Sequence, residues 1–548
     1  MLNIPPDHAQ VLIVGGGPAG SYAASVLAQE GLNVVILEAA KFPRYHVGES
    51  LIPSIRHYLR FIGAEQKLID HGFAHKPGSA IKFNQFKREG YTDFVALGHN
   101  NSAWNVVRSE FDELLLNHAK SCGVQVFELT RVKSLQFSPS DPTQPIAAEW
   151  VRSASDQHGV LTFDYLIDAT GRFGLMSNKY LSNRHFNISL KNIALWGYWR
   201  GVNSYGVGTP RHGAPWFEAL TDGSGWAWFI PLHDGTTSIG VVMLQDTYNE
   251  KIKLLGTSSL EDRYRLFMPL APNLLVLVGH GVLVQKPTVG GPSDQFDPLV
   301  RSASDYSYSA QEYAGNSFRV VGDAGAFIDP FFSSGVHLAL TSAFSAATTI
   351  CASLRGDCSE TEAATWHTKR FSLSYTRFQL VVLSAYKQIR AQNLDILNDV
   401  DEDNYDRAFA TIRPVIQGAS DMGSRLSEAE LNCALDFCAK FFNPTIPVVN
   451  RLKQGIPSEF LDVTRPMVDP LTLEASLASG IQSIMQGLVA CDPEVRLEIE
   501  KVNMRRMLHG EYGLHNMEVE DILGFVVRLE KGRLGLTRAA QWTRESGH

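Results

Sequence analysis

Cysteine is scarce in this sequence and has no regular spacing. The 548 residues contain six cysteines and no Cys-x-x-Cys pair, so neither a disulfide framework nor a structural zinc site is indicated. Free thiols at this density are typical of proteins in a reducing compartment. We therefore expect a cytoplasmic protein without a metal site.

Basic charge and uninterrupted apolar segments are also lacking. The net charge is −8 and the pI about 6.1, with no block of like charges, which disfavours a nucleic-acid partner or an anionic membrane surface. The first ten residues contain no basic and apolar leader. Prolines and glycines interrupt the most apolar run, residues 268–284. We therefore expect neither a signal peptide nor a membrane span.

Near its start the sequence contains a dinucleotide-binding pattern. A strand over residues 10–14 precedes a glycine-rich turn, a helix to residue 29 and a second strand over residues 33–37. The turn consists of Gly15, Gly16, Gly17, Pro18, Ala19 and Gly20. Its small residues permit the turn, let the backbone approach a pyrophosphate and let the helix pack on the strand, while Glu38 is placed to hold ribose hydroxyls. This context favours a Rossmann-like site over a glycine turn without a ligand.

A second stretch, residues 322–340, joins two binding features. Asp323 follows a strand over residues 319–321, and its carboxylate can accept hydrogen bonds from cofactor hydroxyls. The run Phe331-Phe332-Ser333-Ser334-Gly335 then opens an apolar helix over residues 336–350. Unpaired N–H groups at such a helix start, with the positive end of the helix dipole, attract anions. We expect an anion site beside a bound cofactor.

Four segments carry a resemblance to a known family. They are residues 42–51 (FPRYHVGESL), 73–83 (FAHKPGSAIKF), 226–231 (WAWFIP) and 322–335 (GDAGAFIDPFFSSG). In these motifs the sequence resembles the flavin-dependent halogenases, within the FAD-dependent monooxygenases. The resemblance implies an α/β fold, in which a Rossmann-like FAD-binding domain carries an antiparallel β substrate-side sheet and is followed by a helical C-terminal domain.

The domain limits follow from changes in pattern along the chain. We place the FAD-binding, monooxygenase-like domain at residues 1–370 and its aromatic-rich β region at about 188–300. The remaining residues, 371–548, are predicted to form a helical domain that caps the substrate pocket, with helices at 404–412, 427–442, 471–490 and 492–507.

The resemblance also assigns site residues. The FAD site comprises the glycine-rich turn and Glu38, together with Gly48, Glu49, Ser50, Arg108, Asp323 and Val336. Lys76 matches the lysine essential for halogen transfer, and Ser334 and Gly335 match the halide site. Trp226 and Trp228 would separate the flavin chamber from the substrate chamber. No metal site is implied.

Several of these residues also have a plain structural interpretation. Glu49 can serve as the N-terminal acid of a helix over residues 50–61. Arg108 can be a surface residue of a helix that opens at residues 104–112. Tryptophans that alternate along a strand are usually part of the core. These interpretations are compatible with cofactor contacts.

The lysine assignment has its own alternatives. Lys76 can be a solvated loop residue, and Lys82 is a second choice for the catalytic amine. We interpret Asp168, in the turn Asp-Ala-Thr-Gly, and His337, in the apolar helix, as structural residues.

By the same resemblance, reduced FAD arrives from a separate flavin reductase and reacts with dioxygen to a hydroperoxide. Chloride or bromide held by the amides of Ser334 and Gly335 attacks its distal oxygen, and chloride gives hypochlorous acid. Neutral amides attract a halide without holding it too tightly to react. The acid then reaches Lys76, where the ammonium hydrogen-bonds it or the free amine captures it as a chloramine. Burial, by lowering the lysine pKa, would permit the second route.

The substrate class follows from a departure within the family. Tryptophan-type halogenases carry Pro-Leu-Glu-Ser-Thr-Gly where this sequence has Phe332 and Ser334, whereas phenol-type halogenases carry Phe-Phe-Ser-Ser-Gly. We therefore expect electrophilic chlorination of a small phenolic, polyketide-derived substrate, free or carrier-bound, in secondary metabolite biosynthesis. The alternatives are an aromatic hydroxylase that uses NADPH directly and a flavin-binding scaffold without turnover. The intact WAWFIP motif and Lys76 favour the halogenase.

Overall fold

The computed structural model describes residues 4–390, 392 and 520–539, apart from residues 87, 98, 154, 156, 257–258 and 291–294. The helices are α1 Pro18–Gln29, α2 Ser54–Ile62, α3 Glu65–His71, α4 Arg108–Ser121, α5 Gln245–Leu255, α6 Leu260–Phe267, α7 Pro272–Val278, α8 Gly335–Arg355 and α9 Glu360–Arg390. The strands are β1 His8–Val14, β2 Val34–Leu37, β3 Ala74–Lys76, β4 Gly78–Lys82, β5 Gly90–Asp93, β6 Ala103–Asn105, β7 Gln125–Phe127, β8 Thr130–Phe137, β9 Pro145–Arg152, β10 His158–Asp168, β11 Arg184–Arg200, β12 Trp216–Ala219, β13 Gly225–Pro231, β14 Thr237–Leu244, β15 Val282–Val284, β16 Val300–Ala310, β17 Ala314–Gly315, β18 Phe318–Val320, β19 Phe525–Arg528 and β20 Gly535–Arg538.

A parallel sheet forms the N-terminal half of the fold. Strands β7, β2, β1, β10 and β18 lie side by side in that order and pair in parallel. All four residues of β2 are buried, as are Val11–Val14 of β1, as expected for parallel strands with both faces covered. Helices α1 and α8 pack against each other beside this sheet. The Rossmann-like prediction is confirmed, including the order of strand, turn, helix and strand.

A second, mainly antiparallel sheet carries the aromatic residues. Its strands run in the order β15, β11, β14, β13, β12, β4 and β5, with β16 added along β11, and β12 and β4 are the parallel pair. Helices α5, α6 and α7 follow β14 and cover one face through residues such as Tyr264, Phe267 and Leu274. The predicted β region at about 188–300 therefore also contains three helices. Helix α6 has a short apolar face, Leu260, Tyr264 and Phe267, whereas α7 ends in a continuous apolar run, and both are fixed by packing on the sheet.

Strands β3 and β6 form a separate two-stranded ribbon, with β4 and β5 of the antiparallel sheet between them in the chain. Lys76 pairs with Ala103, and Ser50 forms an isolated bridge with Asn105. The ribbon corrects two helix predictions. The segment predicted to open a helix at 104 starts in β6, and α4 begins at Arg108. Helix α2 begins at Ser54 rather than at residue 50.

Helices α8 and α9 connect the sheets to the C-terminal part of the chain. Helix α8 is long and apolar enough to cross a membrane, but 94% of its most apolar window is buried inside the protein, as in the core helix of a globular fold. Helix α9 runs through residue 370, where we placed the domain boundary. The four helices predicted beyond residue 400 lie outside the described residues. The described end of the chain instead contains the β19–β20 hairpin, which packs on α8.

Candidate active site

A cavity of about 650 Å³ is lined by residues of both large sheets. One part of its wall is the turn between β1 and α1, and another is formed by Trp196, Trp226 and Trp228 of the antiparallel sheet. The predicted site residues that line it are Gly15, Gly17, Ala19, Glu38, Gly48, Glu49, Ser50, Arg108, Trp226, Trp228, Asp323, Gly335 and Val336. Gly16, Gly20, Lys76 and Ser334 are not among its lining residues. The motifs scattered along the sequence thus converge on one chamber.

The glycine-rich turn requires glycine at two of its positions. Gly15 has φ +107°, and a Cβ there would lie 2.3 Å from the carbonyl oxygen of Ala169. A Cβ on Gly20 would lie 1.9 Å from the carbonyl oxygen of Gly15. Without side chains at Gly15 and Gly20, the start of α1, the turn and the end of β10 can lie in direct contact. Its backbone faces the cavity at Gly15 and Gly17.

Glu38 lies at the carboxyl end of β2 and is buried. Its Oε2 accepts a hydrogen bond of 2.6 Å from the N–H of Gly16, and its Oε1 accepts one of 2.7 Å from the N–H of Ala40. The carboxylate therefore ties the glycine-rich turn to the end of the second strand while lining the cavity. This placement is suited to the ribose contact that the sequence predicts.

The Gly48-Glu49-Ser50 turn lines the cavity ahead of α2. Glu49 is buried, and its Oε1 accepts a hydrogen bond of 2.9 Å from the hydroxyl of Tyr198. Burial raises the pKa of Glu49, and the Tyr198 hydrogen bond opposes this shift. Because α2 begins at Ser54, the interpretation of Glu49 as a first-turn acid of that helix is wrong. Its carboxylate belongs to the chamber wall.

Arg108 is the first residue of α4 and is buried rather than exposed. Its guanidinium donates to both carboxylate oxygens of Asp112, at 2.9 and 3.1 Å, and to the carbonyl of Val47 at 2.9 Å. The surface interpretation of Arg108 is therefore wrong. The cation is held against the turn that precedes Gly48, where it faces the cavity.

Asp323 lines the cavity next to the end of β18. Burial raises the pKa of Asp323 to about 6, while the charges of Arg108, Arg172 and Arg184 act in the opposite direction. Asp168, in contrast, is buried in its own turn, where it accepts hydrogen bonds from Thr170 and from the N–H of Met176. The structural interpretation of Asp168 is confirmed.

Lys76 ends β3 and is only 1% exposed. Its Nζ donates to the Oγ of Ser50 at 2.8 Å and to the carbonyl oxygen of Leu51 at 2.7 Å, and it lies 5.2 Å from the centre of the Phe94 ring. Burial lowers the pKa of Lys76 to about 7. The solvated-loop interpretation is therefore wrong. Lys76 is adjacent to the cavity through Ser50, which lines it.

The predicted halide residues lie at the start of α8, which begins at Gly335. Ser333 has a left-handed backbone, φ 58°, and this turns the chain into the helix. Ser334 is fully buried, and its Oγ has no hydrogen-bond partner within the described part of the chain. The space beside the Gly335 Cα is open, since a Cβ placed there would meet no atom within 4 Å. An unsatisfied hydroxyl, open space and a helix N-terminus thus coincide.

The two motif tryptophans alternate along β13 and face the cavity. Their ring centroids lie 5.8 Å apart. The indole N–H of Trp226 donates to the hydroxyl of Tyr386 at 2.9 Å, and that of Trp228 donates to Ser238 at 3.1 Å. Both rings are buried, as the core interpretation expects, and both form part of the chamber wall.

His337 is buried one turn into α8. Its Nδ1 lies 2.8 Å from the Oγ of Ser54, and its ring packs edge-on against Tyr58. Its interpretation as a packed helix residue is confirmed. A separate His71, Glu110 and His233 cluster has ligand atoms within 4.8 Å of one another, but none of the three lines the cavity.

Several residues that shape this chamber were not identified from the sequence. His46 lines it, and the Arg108 charge together with burial lowers the pKa of His46 to about 4. Tyr198 holds Glu49, and Tyr386 holds Trp226. Asp112, four residues after Arg108, was readable from the helical spacing of opposite charges. The two tyrosines carried no such signal because their partners are distant in the chain.

Comparison with known proteins identifies the class. A model of the FAD binding domain matches residues 8–181. The flavin-dependent halogenase armH1 of Armillaria mellea is 49% identical over 542 residues, covering 97% of this chain and 99% of that protein. Sulochrin halogenase gedL of Aspergillus terreus is 42% identical over 553 residues, with 97% and 94% covered. Among solved structures, the flavin-dependent halogenase CmlS is 26% identical with a TM-score of 0.62, over 84% of this chain and 79% of that one.

The chain therefore belongs to the flavin-dependent halogenases, and it is an FAD-binding enzyme. The residues present fit the cofactor. The Gly15 and Gly20 geometry brings backbone to the cavity without side chains, and the cavity continues from that turn to the Gly48–Ser50 turn and the indoles. This elongated arrangement suits a dinucleotide that carries an aromatic ring system at one end.

Proposed function

We propose that this enzyme chlorinates an electron-rich phenolic ring of a polyketide-derived small molecule, with Lys76 presenting the halogen. The observation that carries this proposal is the environment of Lys76. A lysine that is 1% exposed and has its pKa lowered to about 7 is a nucleophilic amine near neutral pH. Its neighbour Ser50 lines the FAD cavity.

FAD, supplied reduced by a separate flavin reductase, would provide with dioxygen the two-electron oxidation that converts chloride to hypochlorous acid. The chain's own contribution begins with the halide. The N–H groups at the start of α8 and the Ser334 hydroxyl, which no described residue pairs with, would hold chloride without a fixed cation. Gly335 leaves the necessary space. Bromide would satisfy the same neutral donors.

The hydrogen bonds of Lys76 are compatible with capture of the halogen by the neutral amine. A neutral amine has two N–H groups, which match the two acceptors, Ser50 Oγ and the Leu51 carbonyl. Its lone pair then remains for attack on the chlorine of hypochlorous acid. The N–Cl bond forms, the O–Cl bond breaks, and the nitrogen loses a proton so that water leaves. The chlorine then passes to the aromatic carbon, which gives up its own proton.

The substrate proposal rests on the Phe331-Phe332-Ser333-Ser334-Gly335 turn and on the relatives. Phe332 is buried in the core and offers no carboxylate to orient an aromatic substrate. A phenol requires none, because its deprotonated oxygen activates the ring. One relative, 42% identical over 97% of this chain, is named as a sulochrin halogenase, which supports a small-molecule substrate, free or carrier-bound.

The test is a turnover assay with a flavin reductase, chloride and a panel of phenols, comparing Lys76→Met with Lys82→Met. Both lysines are buried, and methionine preserves chain length, so the variants are matched. We expect Lys76→Met to lose chlorination by about 10²–10⁴-fold while flavin reoxidation persists, and Lys82→Met to retain it. Hydroxylated product, or undiminished chlorination by Lys76→Met, would overturn the proposal.

A further inference from the structure

A fully buried polar network lies behind the cavity wall. Its members are the carboxylate of Asp329, the amide of Asn192 and the hydroxyl of Tyr386, with exposures of 0%, 0% and 2%. Tyr386 donates to Asp329 Oδ2 at 2.7 Å, and Asn192 Nδ2 reaches the same oxygen at 2.9 Å and the Tyr386 hydroxyl at 2.8 Å. Within the described residues Asn192 Oδ1 has no partner, so the pairing in this network centres on Asp329 Oδ2 and the Tyr386 hydroxyl.

The network connects two parts of the proposed site. On one side, the Tyr386 hydroxyl accepts the indole N–H of Trp226 at 2.9 Å. On the other side, Asp329 Oδ1 accepts the N–H of Phe331 at 3.0 Å and caps the short turn Pro330–Phe332. That turn leads directly into Ser333, Ser334 and Gly335. The Tyr386 hydroxyl on α9 is therefore hydrogen-bonded both to Trp226 and to Asp329, the acid that caps the halide turn, by which we mean residues 330–335.

The donor and acceptor count at Tyr386 is complete. Its hydroxyl accepts from Trp226 and Asn192 and donates to Asp329, which uses the single donor and both lone pairs of a phenol. Phe331 also packs edge-on against the Trp226 ring, with centroids 5.1 Å apart. The indole is thus fixed at its N–H and along its face, while a phenylalanine at 386 would preserve the packing and lose only the hydrogen bonds.

We propose that Tyr386 is a positioning residue for halogenation. Its hydroxyl fixes the position of the Trp226 indole relative to the halide turn. This inference rests on the proposed function, because it assigns a task to the wall between oxidant and substrate. With the hydroxyl present, the oxidant made at the turn is confined and reaches the amine. Without it, the indole loses its polar anchor and oxidant escapes into solvent.

The experiment measures coupling, which is the amount of chlorinated product formed per NADH consumed, in addition to the rate. Wild type, Tyr386→Phe and Tyr375→Phe are supplied with a flavin reductase, limiting NADH, chloride and a phenol, and chlorinated product per NADH consumed is recorded. Monochlorodimedone in a parallel reaction traps free hypochlorous acid. FAD affinity and the melting temperature are measured on the same samples. Tyr375→Phe is the matched control, since Tyr375 is a second buried tyrosine of α9 whose hydroxyl interacts with Ser309.

We expect Tyr386→Phe to lower the product ratio by about fivefold, the effect of losing the one of its three hydrogen bonds that holds Trp226, and to raise trapped hypochlorous acid, with FAD affinity unchanged. Tyr375→Phe should retain the wild-type ratio. Wild-type coupling in Tyr386→Phe would overturn the inference, and absence of chlorination by the wild type would instead overturn the proposed function.

A double-mutant cycle of Trp226→Phe and Tyr386→Phe identifies the bond itself. If the Trp226–Tyr386 hydrogen bond carries the effect, the two losses in coupling are not additive, and additive losses contradict the inference. Should Tyr386→Phe fail to fold, Asn192→Ala removes another partner of the same hydroxyl and must show the same leakage of oxidant, or the inference is wrong.

Discussion

At the scale of single residues, Lys76 shows how burial changes the chemistry of a side chain. A lysine whose ammonium is solvated stays protonated near neutral pH, whereas this one is enclosed by the β3–β6 ribbon and the Ser50–Leu51 backbone. The neighbouring sequence motifs predicted a role for Lys76 in halogen transfer, but they did not predict its burial. That burial depends on the pairing of Lys76 with Ala103, which are far apart in the chain.

The pKa of about 7 for Lys76 gives a pH dependence with a definite sign. In the proposed function the neutral amine is the reactive form, so the chlorination rate should rise through pH 7, where about half of the amine is neutral, and level off about one pH unit higher. The measurement is single-turnover chlorination with chemically reduced FAD, which removes the reductase from the profile. A rate that falls as pH rises through 7 would show that the ammonium, rather than the amine, is the working form.

At the scale of elements, the β1–α1–β2 unit was the part that the sequence predicted best. Its signals are local: an apolar strand, a turn of small residues, an apolar helix and a terminal acid. The start of α4 was predicted poorly because it is set by the β3–β6 ribbon, and helices α5–α7 because they are set by contacts with the antiparallel sheet. Trp104, for example, lies in β6 because β6 pairs with β3.

The contact of Gly20 with the preceding turn yields a prediction for this unit. A Cβ at Gly20 would lie 1.9 Å from the Gly15 carbonyl oxygen, and backbone cannot move aside cheaply. Gly20→Ala should therefore destabilise the protein by about 3 kcal/mol or more and abolish FAD binding. Thermal melting and flavin titration measure the two effects.

Gly31→Ala is the control for Gly20→Ala. Gly31 follows the same helix with φ +84°, but a Cβ there meets no atom within 4 Å, so only backbone strain of about 1–2 kcal/mol is expected. FAD binding should survive in this variant. Equal effects of the two substitutions would contradict the steric argument.

At the scale of the whole molecule, the C-terminal end of the described chain packs against the N-terminal FAD-binding unit. The β19–β20 hairpin packs Phe525, Val527 and Leu536 into the cluster formed with α1 and α8. The side chain of Glu30, 1% exposed, accepts from Arg355 at 2.8 Å and from the N–H groups of Gly532 and Leu534 at 2.8 and 3.1 Å. This closure was not predicted, because we expected only helices in the C-terminal part.

Glu30→Ala tests that closure. The change leaves Arg355 and two backbone N–H groups without their shared acceptor, and since Arg355 is partly exposed we expect a loss of about 2–3 kcal/mol. Urea unfolding followed by circular dichroism measures it. A midpoint equal to that of the wild type would mean that the hairpin does not stabilise the FAD-binding unit.

The most direct test of the account is the covalent state of Lys76 during turnover. Enzyme supplied with reduced FAD, dioxygen and chloride but no phenol is quenched, digested and read by mass spectrometry. We predict one chlorine in place of one hydrogen on the peptide that contains Lys76, and its disappearance as chlorinated phenol forms when substrate is added before quenching. Formation of chlorinated phenol with no chlorine ever detected on Lys76 would contradict the account.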